Sequence, residues 1–303
     1  MNILNKIWQQ QVQNWEYTSA ATPDLKGIDF QSFPASLHQT DKTVIIPLDT
    51  SSTLGTTYPA TSPNLLANYI HIADGEHIQT HADASSEVFY VMRGSGKSKM
   101  NDGGVIQWQA GDVFTMPCNQ GVTHEASSDT VIFWTHDGPL LSYLGVQAHQ
   151  ARFKPAFYHH QDLLDEVDAI KDIAIQENRN RAGIILGNLD CVATKSLTHD
   201  MWSLLNVLPK HCVQKAHRHN SVALDLAISA AEHTYTLMGK KVDKQGNIID
   251  PIRANWVSNS VFITPPGWWH SHHNESDQDA YVFPVQDAGL HTYARTLDIQ
   301  FVG

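Results

Sequence analysis

The sequence predicts an all-β protein made of two β-barrel or sandwich blocks joined by a helical segment, and three observations predict it. Short β runs separated by Gly, Asn and Asp turns fill the first half: TVIIPL, NLLANYIHIA, SEVFYVMRG, VIQWQ, DVFTMP and TVIFWTH. The pattern stops after Leu144 and returns from Gly183 as GIILGN, MWSLLNVLP, ALDLAIS, TYTLMG, SVFITPP and AYVFPV. Two segments also repeat. WQAGDVFTMP, Trp108 to Pro117, and WVSNSVFITP, Trp256 to Pro265, share Trp, Val-Phe and Pro at identical spacing. That marks an internal duplication, with His124 and His270 just downstream of the two copies.

Residues 1 to about 43 are mixed, with a short helix over Ile3–Trp15 and then Pro- and Ser-rich loop. The first β block and this extension make a domain over 1–150. Residues 151–180 form the linker. Within it QDLLDEVDAIKDIAIQEN places Leu163, Leu164, Val167, Ile170 and Ala174 at helical period, so one face packs and the acidic face meets solvent. The second β block is a domain over 181–303. A chain of 303 residues suits two such cores.

Net charge is −11 with histidine neutral, which argues against a nucleic-acid or anionic-membrane surface. Cys118, Cys191 and Cys212 are far apart and form no C-x-x-C, the usage of a reduced compartment. The start lacks a signal-peptide core and no run reaches transmembrane length, so a cytoplasmic protein is expected. No G-x-G-x-x-G, P-loop or G-x-S-x-G is present.

The chemistry concentrates in AHRHNSVALD, Ala216 to Asp225, and TPPGWWHSHHN, Thr264 to Asn274. On a strand, His-x-His puts His217 and His219 on one face. His270 comes after a Pro-Pro-Gly turn, on a later strand. Three imidazoles from two strands cap one side of a divalent metal and leave its other positions open. His272 and Trp268 should share the face of His270, His272 as an acid/base or donor to substrate and Trp268 as a pocket wall. Arg218 points the other way, to the surface.

The first block carries Gly75, His81, Asp83, Glu87 and Gly94, then Gly111, Pro117, Gly121 and His124. These spacings resemble the two signature motifs of the cupin superfamily, with Asp83 in place of the second histidine of the first motif. His81, Asp83, Glu87 and His124 are therefore a second candidate metal site of mixed N and O ligands. The second block resembles the iron-binding cupin of the gentisate and salicylate 1,2-dioxygenases. That family shows an A-H-R-H-x-x-x-A-L run and a later W-x-W-H-x-H run, and uses three histidines with no glutamate. His217, His219 and His270 fall on those positions, and Ala223 stands at the usual glutamate position.

The resemblance implies two cupin barrels, Fe(II) and dioxygen chemistry. It implies substrate contacts from Asn206, eleven residues before the first ligand, where glutamine is usual. It also implies one from position 225, where the related enzymes carry an arginine facing a substrate carboxylate. Here that position is Asp225, which would repel a carboxylate and favour a phenol, a neutral ring or an amine-bearing substrate. If the strand is regular, Asp225 faces inward. A substrate, a neighbouring base such as His272, or a β-bulge turning it to solvent would then have to answer its charge. The expected protein is an Fe(II)-dependent dioxygenase of a small aromatic or phenolic molecule, with O₂ as co-substrate. His272 and Asp225 act at the site, and the protein is expected to be a homo-oligomer with no nucleic-acid or membrane partner. Mn²⁺, Zn²⁺ or Ni²⁺ in an isomerase, lyase or hydrolase, and a purely small-molecule-binding bicupin, are the readings left open beside it.

Overall fold

The computed structural model describes residues 8–118, 121–177 and 179–302. The N-terminal block has a six-stranded sheet in the order Ala156–Tyr158, Val113–Pro117, Ser86–Arg93, Thr130–His136, Leu66–Ile72, Val44–Pro47. A four-stranded sheet of His77–Thr80, Val122–Ala126, Ser95–Met100 and Val105–Gln109 closes against it. The C-terminal block repeats the scheme. Its six-stranded sheet runs Ser32–Phe33, Ser260–Thr264, Ala223–Ser229, Ala280–Gln286, Trp202–Leu208, Ala182–Ile185. Its second sheet runs Ile252–Asn255, Thr234–Gly239, Trp269–Asn274, Cys212–His219, Ile299–Phe301. The all-β expectation and the duplication both hold in this topology.

Burial explains why some runs alternate and others do not. Leu66–Ile72 and Thr130–His136 are buried along their whole length. One face lines a barrel and the other packs on the second block, which removes the polar face of an ordinary antiparallel strand. Val122–Ala126, which has water on one side, alternates buried and half-buried. One apolar cluster runs across the seam, from Tyr69, Val88 and Phe133 to Leu224, Ile263 and Phe283. Tyr90 and Phe283 meet there with ring centroids 4.9 Å apart.

The connecting helix spans His160–Gln176 and buries Leu163, Val167 and Ala174, the face its spacing gives. The linker also contains Ala156–Tyr158, added to the edge of the N-terminal sheet. In turn Ser32–Phe33 pairs with Ser260–Thr264 of the C-terminal block, so each block takes a strand from outside its own run. Of the helix expected over Ile3–Trp15, residues 1–7 lie outside the described residues. Trp8–Gln10 is helical, and the rest of that stretch, to Trp15, is irregular, with Trp8, Val12 and Trp15 exposed.

Rings fill the N-terminal barrel. Phe157, Phe114, Phe89 and Trp134 form a near-parallel series, with successive centroids 6.5, 4.7 and 5.9 Å apart. The C-terminal barrel is instead open inside, with a cavity of about 190 Å³.

Candidate metal centre

The strands Cys212–His219 and Trp269–Asn274 run antiparallel, with His217 directly opposite His270. A register shift between Gln214 and His217 sets that pairing. The turn before His270 is tied to the other strand. Gly267 has φ +77°, the left-handed region a side chain disfavours, and its N–H donates to the His219 carbonyl at 2.7 Å. His217, His219 and His270 come together. Ring centroids lie 4.0 to 5.5 Å apart, and one nitrogen of each lies within 4.8 Å of the other two.

The hydrogen bonds decide the tautomers. His270 Nδ1 lies 3.0 Å from the Trp268 carbonyl oxygen, and His219 Nδ1 lies 2.9 Å from that of Ser221. A carbonyl only accepts, so both rings carry their proton on Nδ1 and leave Nε2 with its lone pair free. Burial, then the neighbouring imidazoles and Arg181, holds His217 and His270 well below the usual histidine range; burial brings His219 to about 4. Three neutral imidazoles with two free Nε2 atoms fit a divalent metal.

The third ring is held differently. Arg181, just ahead of Ala182–Ile185, donates from Nη2 to His217 Nδ1, and from Nη1 to the Lys215 and Asn180 carbonyls. A guanidinium has no acceptor, so Nδ1 of His217 accepts here. For His217 to bind a metal through Nε2, Arg181 must release Nδ1. Arg181 keeps part of its surface open along the cavity, yet it is packed deeply among other groups, and that desolvation pulls its pKa down to about 9. Sequence reasoning misses it. Its only signal is a lone Arg before a β run, with nothing to link it to histidines 36 residues on.

His272 lies beside the trio, 5.8 Å from His270 between ring centroids. Its Nδ1 is 2.8 Å from Thr236 Oγ1, and Thr236 Oγ1 accepts from Trp256 Nε1 at 2.8 Å. With Trp256 donating to it, the threonine hydroxyl still has its own hydrogen and a second lone pair, so it pairs with either tautomer of His272. The tautomer whose Nδ1 accepts leaves Nε2–H as a donor in the cavity that His272 lines.

Asp225 and Asn206 line the cavity with the four histidines. Asp225 is not turned out by a bulge: its pairing is regular, and the register shifts only between Ala227 and Ser229. Thr264 answers its charge, donating from Oγ1 to Oδ2 at 2.5 Å, and burial lifts the carboxyl to about 7. Asn206 gives its amide to Gln214 Oε1 at 3.2 Å, and its buried Oδ1 has no partner among the described residues. Arg181 lines the same cavity with a positive charge, which counters the repulsion of a carboxylate expected from Asp225.

Trp268 does not wall the cavity. It precedes the strand Trp269–Asn274, so the alternation that would place it inward does not reach it. Its ring packs against the apolar cluster that includes Trp256 and Phe262 and lies under Lys240, with Nζ 5.2 Å from the centroid. Trp202, Ile299 and Phe301 line the cavity instead. Arg218 does face outward, donating to Gln300 Oε1 at 3.2 Å.

The N-terminal quartet is not assembled. His81 and Asp83 are exposed, whereas Glu87 and His124 are buried. Among the described residues, no three of the four bring ligand atoms together. Glu87 accepts from Trp134 Nε1 at 2.9 Å, and His124 sits between Ser98 Oγ at 2.8 Å and Thr80 Oγ1 at 3.0 Å. The positions matching the metal centre hold other side chains: Thr80 pairs with Val122 much as His217 pairs with His270. Asp137, His199 and Asp200 do meet at the seam. Hydroxyls of Ser85, Ser86 and Thr198 already donate to those two carboxylates, which reads as a hydrogen-bonded clasp between the blocks.

Comparison with known proteins agrees with this architecture. Residues 68–136 match the cupin domain family. One stretch is 36% identical over 81 residues to gentisate 1,2-dioxygenase 1 of Aquipseudomonas alcaligenes, 26% of this chain and 23% of that one. A stretch of 112 residues is 31% identical to 5-aminosalicylate 1,2-dioxygenase of a Comamonas species, 36% of this chain and 29% of that one. The matches thus span under a third of these relatives' lengths. The salicylate 1,2-dioxygenase structure from Pseudaminobacter salicylatoxidans superposes with TM-score 0.75 at 12% identity, covering 98% of this chain and 96% of that one. Two barrels of one topology, a cupin domain matched over residues 68–136 and this whole-chain likeness show a two-barrel, bicupin fold.

Proposed function

We propose that the protein is an Fe(II)-dependent ring-cleaving dioxygenase acting on a hydroxybenzoate, with 5-aminosalicylate-like rings the best match. The observation that carries this is one cavity holding a three-histidine cap, a cation and free hydrogen-bonding groups together. His217, His219 and His270 would hold the metal, oriented by the Ser221 and Trp268 carbonyls and by movement of Arg181. A bound Fe(II) would supply charge transfer between an aromatic ligand and dioxygen. The donor set itself suits Mn²⁺, Zn²⁺ and Ni²⁺ as well; the choice of iron rests on the dioxygenase resemblance.

The side chains supply the rest. Arg181 offers a planar fork for a carboxylate. His272 Nε2–H donates to a phenolic oxygen. The free Oδ1 of Asn206 and the carboxyl of Asp225 accept from a ring hydroxyl or amine. Ile185, Leu204 and Val282 make the wall apolar, which keeps water from the reacting groups. A cavity of roughly 150 Å³ takes one benzene ring, so about 190 Å³ suits a single substituted ring.

The test is oxygen uptake by protein purified without air and reconstituted with Fe(II), given salicylate, gentisate and 5-aminosalicylate. Uptake matched to loss of the ring absorbance is expected with at least one. His270→Ala should abolish both metal content and uptake. No oxygen uptake with any of the three, from protein that holds one iron, would overturn the reading.

A further inference from the structure

The strand Ile299–Phe301 pairs with the strand that carries two of the three metal-site histidines. Phe301 lies opposite His217 and Ile299 opposite His219. Residues opposite one another share a face, so both apolar side chains point to the cavity side. The Phe301 ring lies 5.5 Å from that of His217 and within 12° of parallel. The intervening Gln300 points away, to Arg218.

Two features make this strand more than packing. First, its cavity-facing side chains are left open: Phe301 is 56% exposed and Ile299 38%. Ile185, across the mouth, is 48% exposed. Three exposed apolar side chains around the mouth of a cavity that holds an arginine form an apolar collar left open among the described residues. Second, the strand sits at the edge of its sheet, with Cys212–His219 as its one neighbour among the described residues. It is fixed by Val302 N to the Ala216 carbonyl at 3.0 Å, and by the Asn220–Asp298 pair at 2.9 and 3.1 Å. Its side chains can therefore change without disturbing the core.

We propose that this strand is the specificity element of the cavity. Phe301 and Ile299 form the wall that admits one six-membered ring and turns away a fused second ring. The proposal rests on the ring-cleaving reading above and deepens it by restricting the substrate class to monocyclic hydroxybenzoates. The substrate ring slides against the open face of Phe301, whose orientation the parallel His217 ring sets. A bicyclic ligand held by the same carboxylate at Arg181 would have to pass its second ring through the side chains of Phe301 and Ile299.

The test is binding, so that it stands apart from turnover. Salicylate and 1-hydroxy-2-naphthoate are titrated calorimetrically into Fe(II)-loaded full-length protein under argon, for wild type, Phe301→Ala and Phe301→Trp. Because Phe301 is more than half exposed, the variants should fold and keep their iron. Wild type is expected to bind salicylate at least tenfold more tightly than the naphthoate. Phe301→Ala should bring the two within about threefold, chiefly by tightening the naphthoate, and Phe301→Trp should widen the gap. Wild type binding both equally would overturn the proposal. So would an unchanged ratio in Phe301→Ala, which would leave the dioxygenase reading standing. If wild type binds neither ligand, that reading falls and this inference falls with it.

Discussion

His272 stands in the C-terminal barrel where His124 stands in the N-terminal one. Each Nδ1 lies 2.8 Å from a hydroxyl, Ser98 for His124 and Thr236 for His272, and each hydroxyl accepts from a tryptophan, Trp108 or Trp256, at 2.8 Å. The duplicated Trp therefore marks a buried Trp–hydroxyl–His relay in each barrel. The ligand position is two residues earlier: Met238 pairs with His270, and in the N-terminal barrel Met100 pairs with Val122. One barrel kept the relay and not the ligands.

The first prediction tests this equivalence. His124 is fully buried with both ring nitrogens hydrogen-bonded, so His124→Ala should destabilise the protein by about 2–4 kcal/mol. His81 is exposed, and His81→Ala should change stability by less than about 0.5 kcal/mol. Neither should alter the metal content of the purified protein. Urea unfolding with metal analysis checks both, and loss of metal in either variant would put a working site in the first barrel.

How much of the site is legible in the sequence depends on the range of the interaction. The His-x-His run and the Pro-Pro-Gly turn are local, so His217, His219 and His270 can be read from alternation alone. Arg181, Trp202 and Phe301 reach the site from distant segments of the chain, and no local period marks them. Alternation misplaces Trp268 because it is extended one residue past the end of a strand. The cupin spacing of His81, Asp83 and Glu87 survives in a barrel whose interior is packed with Phe89, Phe114 and Trp134. There a motif persists as sequence while its geometry does not.

Glu87 gives a pH prediction in that filled barrel. Burial raises its carboxyl from 4.5 to about 8, against the opposing hydrogen bond from Trp134. The folded state therefore binds a proton that the unfolded chain releases between about pH 4.5 and 8. Stability from this group is complete below about pH 4.5 and is lost as pH rises through about 8. The loss should be on the order of a few kcal/mol. Glu87→Gln stays neutral and should flatten the decline. Urea midpoints measured from pH 5 to 9 decide it, and parallel pH curves for the two proteins would mean that Glu87 titrates normally.

Arg181 makes opposed predictions for two ligands. Its guanidinium occupies Nδ1 of His217 and places a positive charge beside the metal position. Arg181→Leu should therefore strengthen divalent-metal binding, because it removes both the competing hydrogen bond and the repulsion. The same change should weaken salicylate binding by about 10- to 100-fold, the range of a lost charge-assisted hydrogen bond. Competition with a chelating dye reads the first effect and calorimetry the second. A variant that loses metal and salicylate together would make Arg181 a structural prop for the strand beside it.

Asp225 carries the last prediction. Its carboxyl lines the cavity that Arg181 also lines, and Thr264 binds one of its oxygens. A ring anchored through its carboxylate at Arg181 can turn a distal amine or hydroxyl toward Asp225 and the free Oδ1 of Asn206. On that arrangement, a ring with no distal donor does not use Asp225, whereas an amine-bearing ring does. Asp225→Asn keeps the shape and an acceptor for Thr264 but lowers the charge. It should cut kcat/KM for 5-aminosalicylate about tenfold, near 1.4 kcal/mol, and leave salicylate within about threefold. Asp225→Arg places a second cation in the cavity, so it should repel a protonated amine and invert the preference toward gentisate or salicylate. The measurement is the ratio of kcat/KM for 5-aminosalicylate to salicylate in all three proteins. An unchanged ratio would confine Asp225 to holding Thr264, and the distal-donor preference would lose its basis, while the carboxylate anchor at Arg181 would stand on its own test.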